Sequence, residues 1–187
     1  KKDFSTSKNF LYNKPDTAKK LIDLISDKTI EYLSGQIDAG ADVIQLFDSW
    51  SGMLNGVQYD DFVVYPTKKI VSILKGRYPN VRIIGFPRGS GYNYEKYIKH
   101  VGVDGVGVDQ FIPLPEVRKW QKNILVQGNL DPVVLLGSKE SIEFYAGKIL
   151  SSLDNKNFIF NLGHGILPST PVQNVRHLVN YVKQYNE

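Results

Sequence analysis

The sequence predicts an α/β protein of parallel β/α units, a section of a (β/α)8 TIM barrel. Three observations predict this. Five short apolar runs alternate with amphipathic helical stretches. No tight hairpin signal joins one run to the next, so successive strands should lie parallel, linked by helical crossovers. Every run also ends on polar or small residues: Asp48-Ser49, Arg88-Gly89, Asp109, Asn129 to Asp131, and His164. A barrel gathers such exits into one ring on its C-terminal face. An open doubly wound sheet uses chiefly the exits at its switch point. The polarity of all five exits favours the barrel. A complete barrel takes eight units and about 250 residues, so a chain of 187 residues with five units is expected to lack three.

Residues 1–14 are polar and read as an irregular connection. Pro15 and Asp16 open a helix to about Ala39, with Leu21, Ile22, Ile25, Ile30, Leu33 and Ile37 as its apolar stripe; Gly40 stops it. Asp42 to Phe47 is the first strand, followed by a loop over 53–58 that contains Asn55-Gly56. A helix runs from about Tyr59 to Arg77, and Pro66 marks a kink or break near its start. Val81 to Phe86 is the second strand, and Tyr94 to Val101 a short helix ended by Gly102. Asp104 to Val108 forms a thin third strand, Pro113 to Gln121 a helix, and Ile124 to Gly128 the fourth strand. Ser138 to Leu153 is a helix with Ile142, Tyr145, Ala146, Ile149, Leu150 and Leu153 on one face.

The fifth strand, Phe158 to Leu162, is aromatic-rich and reads as buried. It ends in Gly163-His164-Gly165, where two glycines let the backbone turn sharply and approach a ligand. Thr170 as N-cap, Pro171 at the first helical position and Gln173 completing a capping box then start the last helix. That helix runs to about Tyr185 and is expected to bury Val172, Val175, Leu178, Val179 and Val182.

Composition narrows the function. With 42% hydrophobic residues the chain can bury a sizeable core. It has no cysteine, which removes disulfides, thiolate nucleophiles and cysteine-ligated metal centres from these residues. No run is long enough to span a bilayer, no N-terminal signal pattern is present, and there is no Asn-x-Ser/Thr acceptor. A cytoplasmic enzyme with no membrane partner fits best. The net charge of +4 comes from lysines scattered over helices, without the clustered basic and aromatic groove that nucleic acid needs. An anionic small substrate is compatible with it. The chain opens on Lys1 and its one methionine is Met53; with three units absent, it reads as part of a longer protein.

Among candidate motifs, Gly105-Val106-Gly107 and Gly89-Ser90-Gly91 lack the third glycine of a dinucleotide fingerprint. There is no Walker sequence and no His-Glu-x-x-His. His100 and His177 fall on helices and read as surface or packing residues. Asp48 and Asp109 stand at strand exits as acids or metal ligands, or as turn formers that cap backbone amides. Ser49 and His164 sit on different exits of what should be one face.

The segments Asn161-Leu162-Gly163-His164-Gly165, Gln127-Gly128-Asn129-Leu130-Asp131-Pro132 and Leu46-Phe47-Asp48-Ser49-Trp50-Ser51-Gly52 resemble the strand ends of the uroporphyrinogen decarboxylase family. Phe86-Pro87-Arg88-Gly89 and Val106-Gly107-Val108-Asp109 are close to that family's intervening motifs, while Gln110-Phe111 departs from its usual aromatic or threonine pair. The resemblance covers essentially the whole chain, in order. It implies a (β/α)8 barrel working as a homodimer, with this chain, 1–187, supplying the fourth to eighth strands. The first three units would carry the arginines that hold substrate carboxylates, the aspartate that binds the pyrrole nitrogens, and a cleft tyrosine. Of the family's cleft residues, Ser49 and His164 carry over.

The resemblance also implies a reaction: cofactor-free loss of CO2 from the four acetate arms of uroporphyrinogen, giving coproporphyrinogen. The partner is therefore an anionic tetrapyrrole. Two alternatives stand beside it. Corrinoid-dependent methyltransferases resemble this barrel but use a zinc site with a cysteine ligand, which this chain lacks. A chain that folds without turnover is the other, because five strands cannot close a barrel.

Overall fold

The computed structural model describes residues 3–54 and 56–185; Asn55 of the expected 53–58 loop and Lys1 lie outside them. The chain divides into two compact units, residues 1–104 and 105–187. All strand pairings described within them are parallel, and the architecture is an α/β fold consistent with part of a (β/α)8 barrel.

The first unit opens with a helix the sequence does not predict. Helix α1 (Ser5–Asn13) buries none of its residues, so no apolar stripe marks it. The Asp3 carboxylate accepts the Ser5 N–H at 3.0 Å, supplying the cap that a helix start lacks. Helix α2 (Pro15–Asp38) follows the expected span, but Leu21 and Ile25 are about half exposed. The buried seam is Ala18, Ser26, Ile30 and Leu33, flanked by Ile22 and Ile37, a spacing of three and four residues that follows one helix face. Ser26 fits because its hydroxyl donates to Ile22 O within the helix at 2.8 Å.

Strand β1 (Val43–Asp48) leads through a short 3-10 turn to α3 (Gly56–Tyr59). A π-helical turn, Asp60–Val64, separates α3 from α4 (Tyr65–Arg77). This is the break expected near Pro66, which lies in the first turn of α4, where a missing N–H costs no hydrogen bond. Lys69 of α4 holds Asp23 (3.2 Å) and Asp27 (2.8 Å) of α2. Strand β2 (Arg82–Pro87) pairs with β1 from Val43↔Arg82 to Asp48↔Pro87, and α5 (Asn93–Val101) follows. Gly85 is dictated by packing, since a Cβ there would meet the Tyr97 hydroxyl of α5 at 2.2 Å.

In the second unit β3 (Gly105–Gly107), β4 (Leu125–Leu130) and β5 (Phe158–Leu162) lie side by side in sequence order, linked by α6 (Leu114–Gln121) and α7 (Lys139–Ser152). Strand β4 extends two residues beyond its expected end because Asn129 and Leu130 pair with Asn161 and Leu162. Strand β5 has the expected bounds but is not buried: Ile159 is 39% exposed. Its pairing in the sheet is on one side, with β4. On α7 the Ser138 hydroxyl caps the Ser141 N–H at 3.3 Å, and the expected face is buried except for the half-exposed Tyr145.

The final helix, α8 (Val172–Tyr185), departs from expectation. The Thr170 hydroxyl is buried without a hydrogen-bond partner, so it caps nothing. Val172 and Val179 are exposed, and the buried residues are Leu178 and Asn174. Asn174 Nδ2 donates to the carbonyls of Leu135 (2.8 Å) and Gly137 (3.1 Å). The side chain satisfies the end of the turn Pro132–Leu136, a use that hydrophobic periodicity cannot foresee.

Candidate active site

The exits of β1 and β2 form one rigid assembly. Arg88 N–H donates to Asp48 O at 3.0 Å, and Gly52 N–H donates to Arg88 O at 3.1 Å. The Ser51 hydroxyl lies 3.1 Å from Asp48 O and 3.0 Å from Arg88 O. Gly52 has to be glycine, because a Cβ would sit 2.2 Å from Gly89 O. Asp48 O is the carbonyl of the peptide that carries Ser49, so the bonds it accepts from Arg88 N–H and the Ser51 hydroxyl fix the position of Ser49.

Behind this assembly runs a buried chain of hydroxyls. Tyr59 Oη donates to Ser90 Oγ at 2.8 Å, and Ser90 Oγ donates to Ser51 Oγ at 3.3 Å. Its direction follows from chemistry. Carbonyl oxygens only accept, so Ser51 must donate to them and accept from Ser90; Ser90 must then accept from Tyr59. Burial pushes the Tyr59 phenol well above its ordinary pKa, which keeps the proton this chain requires.

The three strand-exit aspartates share one local role. Asp48 Oδ1 accepts the Trp50 N–H (3.2 Å), Asp109 Oδ1 the Phe111 N–H (3.0 Å) and Asp131 Oδ1 the Val133 N–H (2.9 Å). Each is an Asx turn that bends the chain out of its strand. Burial pushes the Asp48 carboxyl up, opposed by the amides of Trp50 and Ser51. Among the described residues no group of three or more His, Asp or Glu is placed to hold a metal ion.

In the second unit the exits are stitched in the same way. Asn129 Nδ2 donates to Asp109 O (3.0 Å) and Ile112 O (2.9 Å), tying the β4 exit to the β3 exit. Gly163 N–H donates to Leu130 O at 2.7 Å, tying β5 to β4. A Cβ on Gly163 would meet the Gln110 amide nitrogen at 2.4 Å. Gly163 is therefore required by close backbone packing, whereas a Cβ on Gly165 would meet nothing within 4 Å. His164, the residue between them, is exposed at the end of β5. A cavity of about 600 Å3 opens beside the β4 exit, with Gln110, Asn129, Asp131, Tyr145 and Lys148 in its wall; His164 is not among its lining residues. Of the other histidines, His100 is exposed on α5 and His177 Nε2 meets Glu143 Oε1 at 2.8 Å on α8.

Sequence reasoning singled out Ser49 and His164 but passed over Tyr59, Ser90 and Ser51. Their contacts join residues 31 and 39 positions apart, which no local spacing reveals. Arg88 was visible as the one cation among the polar exits, and only its surroundings set it apart.

Comparison with known proteins bears on the fold and the family. A solved methyltransferase from Methanosarcina mazei superposes with a TM-score of 0.80 over 96% of this chain and 52% of its own, at 20% sequence identity. At that identity the likeness is one of fold. Uroporphyrinogen decarboxylases of Rickettsia felis and Rickettsia africae are 51% and 50% identical to this chain over 187 residues. The chain spans 54% of the length of each, in their C-terminal portion. The family model described as uroporphyrinogen decarboxylase matches residues 1–185. Glycines, aspartates and Asn129, which stitch the exits here, are the same residues that carry the sequence motifs, and the chain belongs to the uroporphyrinogen decarboxylase family.

Proposed function

We propose that this chain is the C-terminal part of a uroporphyrinogen decarboxylase, which converts the four acetate arms of uroporphyrinogen III to methyl groups and yields coproporphyrinogen III for porphyrin and heme biosynthesis. The observation that carries this is identity of about half to curated decarboxylases along the entire chain. The reaction needs no cofactor, because a pyrrole is its own electron sink. Protonation of the ring α-carbon next to the one that bears the acetate arm gives an iminium-like cation. The arm's carboxylate leaves as CO2, and its electron pair forms an exocyclic methylene and neutralises the ring. Protonation of that methylene with loss of the added ring proton completes the methyl group. The protein has to hold a polyanion, deliver the proton and stabilise the cation. Ser49 and His164, each at its own strand exit, donate hydrogen bonds to substrate carboxylates. The carboxylate that faces the pyrrole nitrogens and the family's carboxylate-holding arginines come from the three units that precede this chain in the full-length enzyme, a cytoplasmic homodimer.

The apolar side chains left on the surface of the end strands support this incompleteness: Val43 and Phe47 on β1 are 51% and 69% exposed, and Ile159 on β5 is 39% exposed. Interior barrel strands bury such residues. The test is CO2 release from uroporphyrinogen, with chromatography of the porphyrin products. The full-length enzyme is expected to turn over and the isolated 187-residue chain to release none. A full-length enzyme without turnover refutes the reaction; an active isolated chain refutes the incompleteness.

A further inference from the structure

The geometry points to Arg88 as a carboxylate anchor beside Ser49, a substrate contact that follows from its fixed backbone and from a buried Nε with no hydrogen-bond partner. The inference rests on the decarboxylase reading for the identity of the anion, though the anchor can be tested without turnover. Arg88 is the first residue beyond β2, at the strand ends where barrel enzymes bind their ligands. Its amide donates to Asp48 O at 3.0 Å and to Phe86 O at 3.1 Å, and its carbonyl accepts from Gly52 N–H and the Ser51 hydroxyl. The backbone of Arg88 is thus held against the peptide that carries Ser49.

The side chain has no comparable satisfaction. Its Nε is buried without a hydrogen-bond partner, and among the described residues no carboxylate forms an ion pair with its guanidinium. Other part-buried cations of this unit are paired: Lys69 with Asp23 and Asp27, Lys75 with Asp104, Lys96 with Asp60. A buried donor left unmade is costly, and a charged one more so. A guanidinium fork on a fixed backbone is preorganised for bidentate capture of a carboxylate. Uroporphyrinogen presents eight carboxylates, and Arg88 takes one of them with Nε–H and an Nη–H while the Ser49 hydroxyl donates from the adjoining exit.

The test compares Arg88→Gln and Arg88→Lys in the full-length enzyme by steady-state kinetics, fluorescence titration with uroporphyrin as a non-reacting octacarboxylate, and thermal melting. Arg88→Gln is expected to raise KM and the uroporphyrin Kd by roughly ten-fold or more, the scale of one charge-assisted bidentate contact. Its kcat should stay within about two-fold, since uniform binding is what is lost. Arg88→Lys keeps the charge without the fork and should recover part of the loss. Added salt should weaken wild-type binding more than that of Arg88→Gln. An unchanged KM and Kd in Arg88→Gln overturns the assignment. So does a fall in melting temperature without a binding defect, which would mean that the guanidinium pairs with a protein carboxylate. If the wild type binds uroporphyrin through Arg88 yet releases no CO2, the decarboxylase reading fails and the anchor stands.

Discussion

Replacing Gly52 with alanine puts one methyl group where two backbones already touch. The new Cβ would lie 2.2 Å from Gly89 O, 2.4 Å from its carbonyl carbon and 2.8 Å from its Cα. None of these is the end of a flexible side chain, so the β1 and β2 exits must separate by about 1 Å to reach ordinary contact. Three hydrogen bonds cross that seam: Arg88 N–H to Asp48 O, Gly52 N–H to Arg88 O, and the Ser51 hydroxyl to Arg88 O, all at 3.0–3.1 Å. Such a separation stretches them beyond useful length. With overpacking at about 1–3 kcal/mol and roughly 1 kcal/mol for each bond weakened, partly offset by water, the loss should be roughly 2–4 kcal/mol. Ser49 moves with the seam, and a 1 Å misplacement costs on the order of 100-fold in rate. Urea denaturation and kcat/KM of the full-length enzyme measure both. Gly35 and Gly76, on helices α2 and α4, are the contrast: a methyl group added at either would meet nothing within 4 Å. Alanine there should stabilise by about 0.5–1 kcal/mol. A Gly52→Ala enzyme with unchanged midpoint and kcat/KM would refute the steric reasoning.

Two further outcomes follow from the same unit. In the hydroxyl chain, Ser90→Ala strands the buried Tyr59 proton, whereas Tyr59→Phe removes the terminal donor and leaves Ser90 bonded to Ser51. Denaturation should show Ser90→Ala as the more costly change, at about 2–3 kcal/mol against about 1 kcal/mol; the reverse order would show that the chain is not directed as drawn. Asp104 gives the pH dependence. Burial resists its ionisation, but the Lys75 ammonium, the Ile83 N–H and Arg82 together outweigh this and hold its pKa below the ordinary 3.8. A depressed folded pKa stabilises above the unfolded value and loses that contribution as pH falls through the folded one. Wild-type denaturation midpoints should therefore drop below about pH 4, and Asp104→Asn should flatten that part of the profile. Equal acid slopes in the two proteins would rule Asp104 out as the cause.

The β/α alternation was legible because strands and crossover helices impose different periods on apolar residues, and all five strands appear within two residues of their expected bounds. Helix α1 was not legible, because a helix that buries no residue leaves no periodic trace. On α8 the pattern misled: Val172 and Val179 keep helical spacing yet face outward, while polar Asn174 is buried to bond Leu135 O and Gly137 O. Strand β5 read as buried from composition, but burial depends on which neighbours lie beside a strand, and its own sequence does not specify them.

The chain order of apolar and polar residues by itself determined the parallel units, the polar exits and the candidate His164, because local periodicity and turn chemistry act over a few residues; Ser49 became a candidate through the family resemblance. The tertiary structure decided what the exit residues do. It showed the aspartates as turn formers, Gly52 and Gly163 as points of backbone contact, a directed hydroxyl chain through Tyr59, Ser90 and Ser51, and a cation at Arg88 whose Nε lacks a partner. Those roles depend on contacts between residues tens of positions apart, and only the folded chain brings them within hydrogen-bond distance.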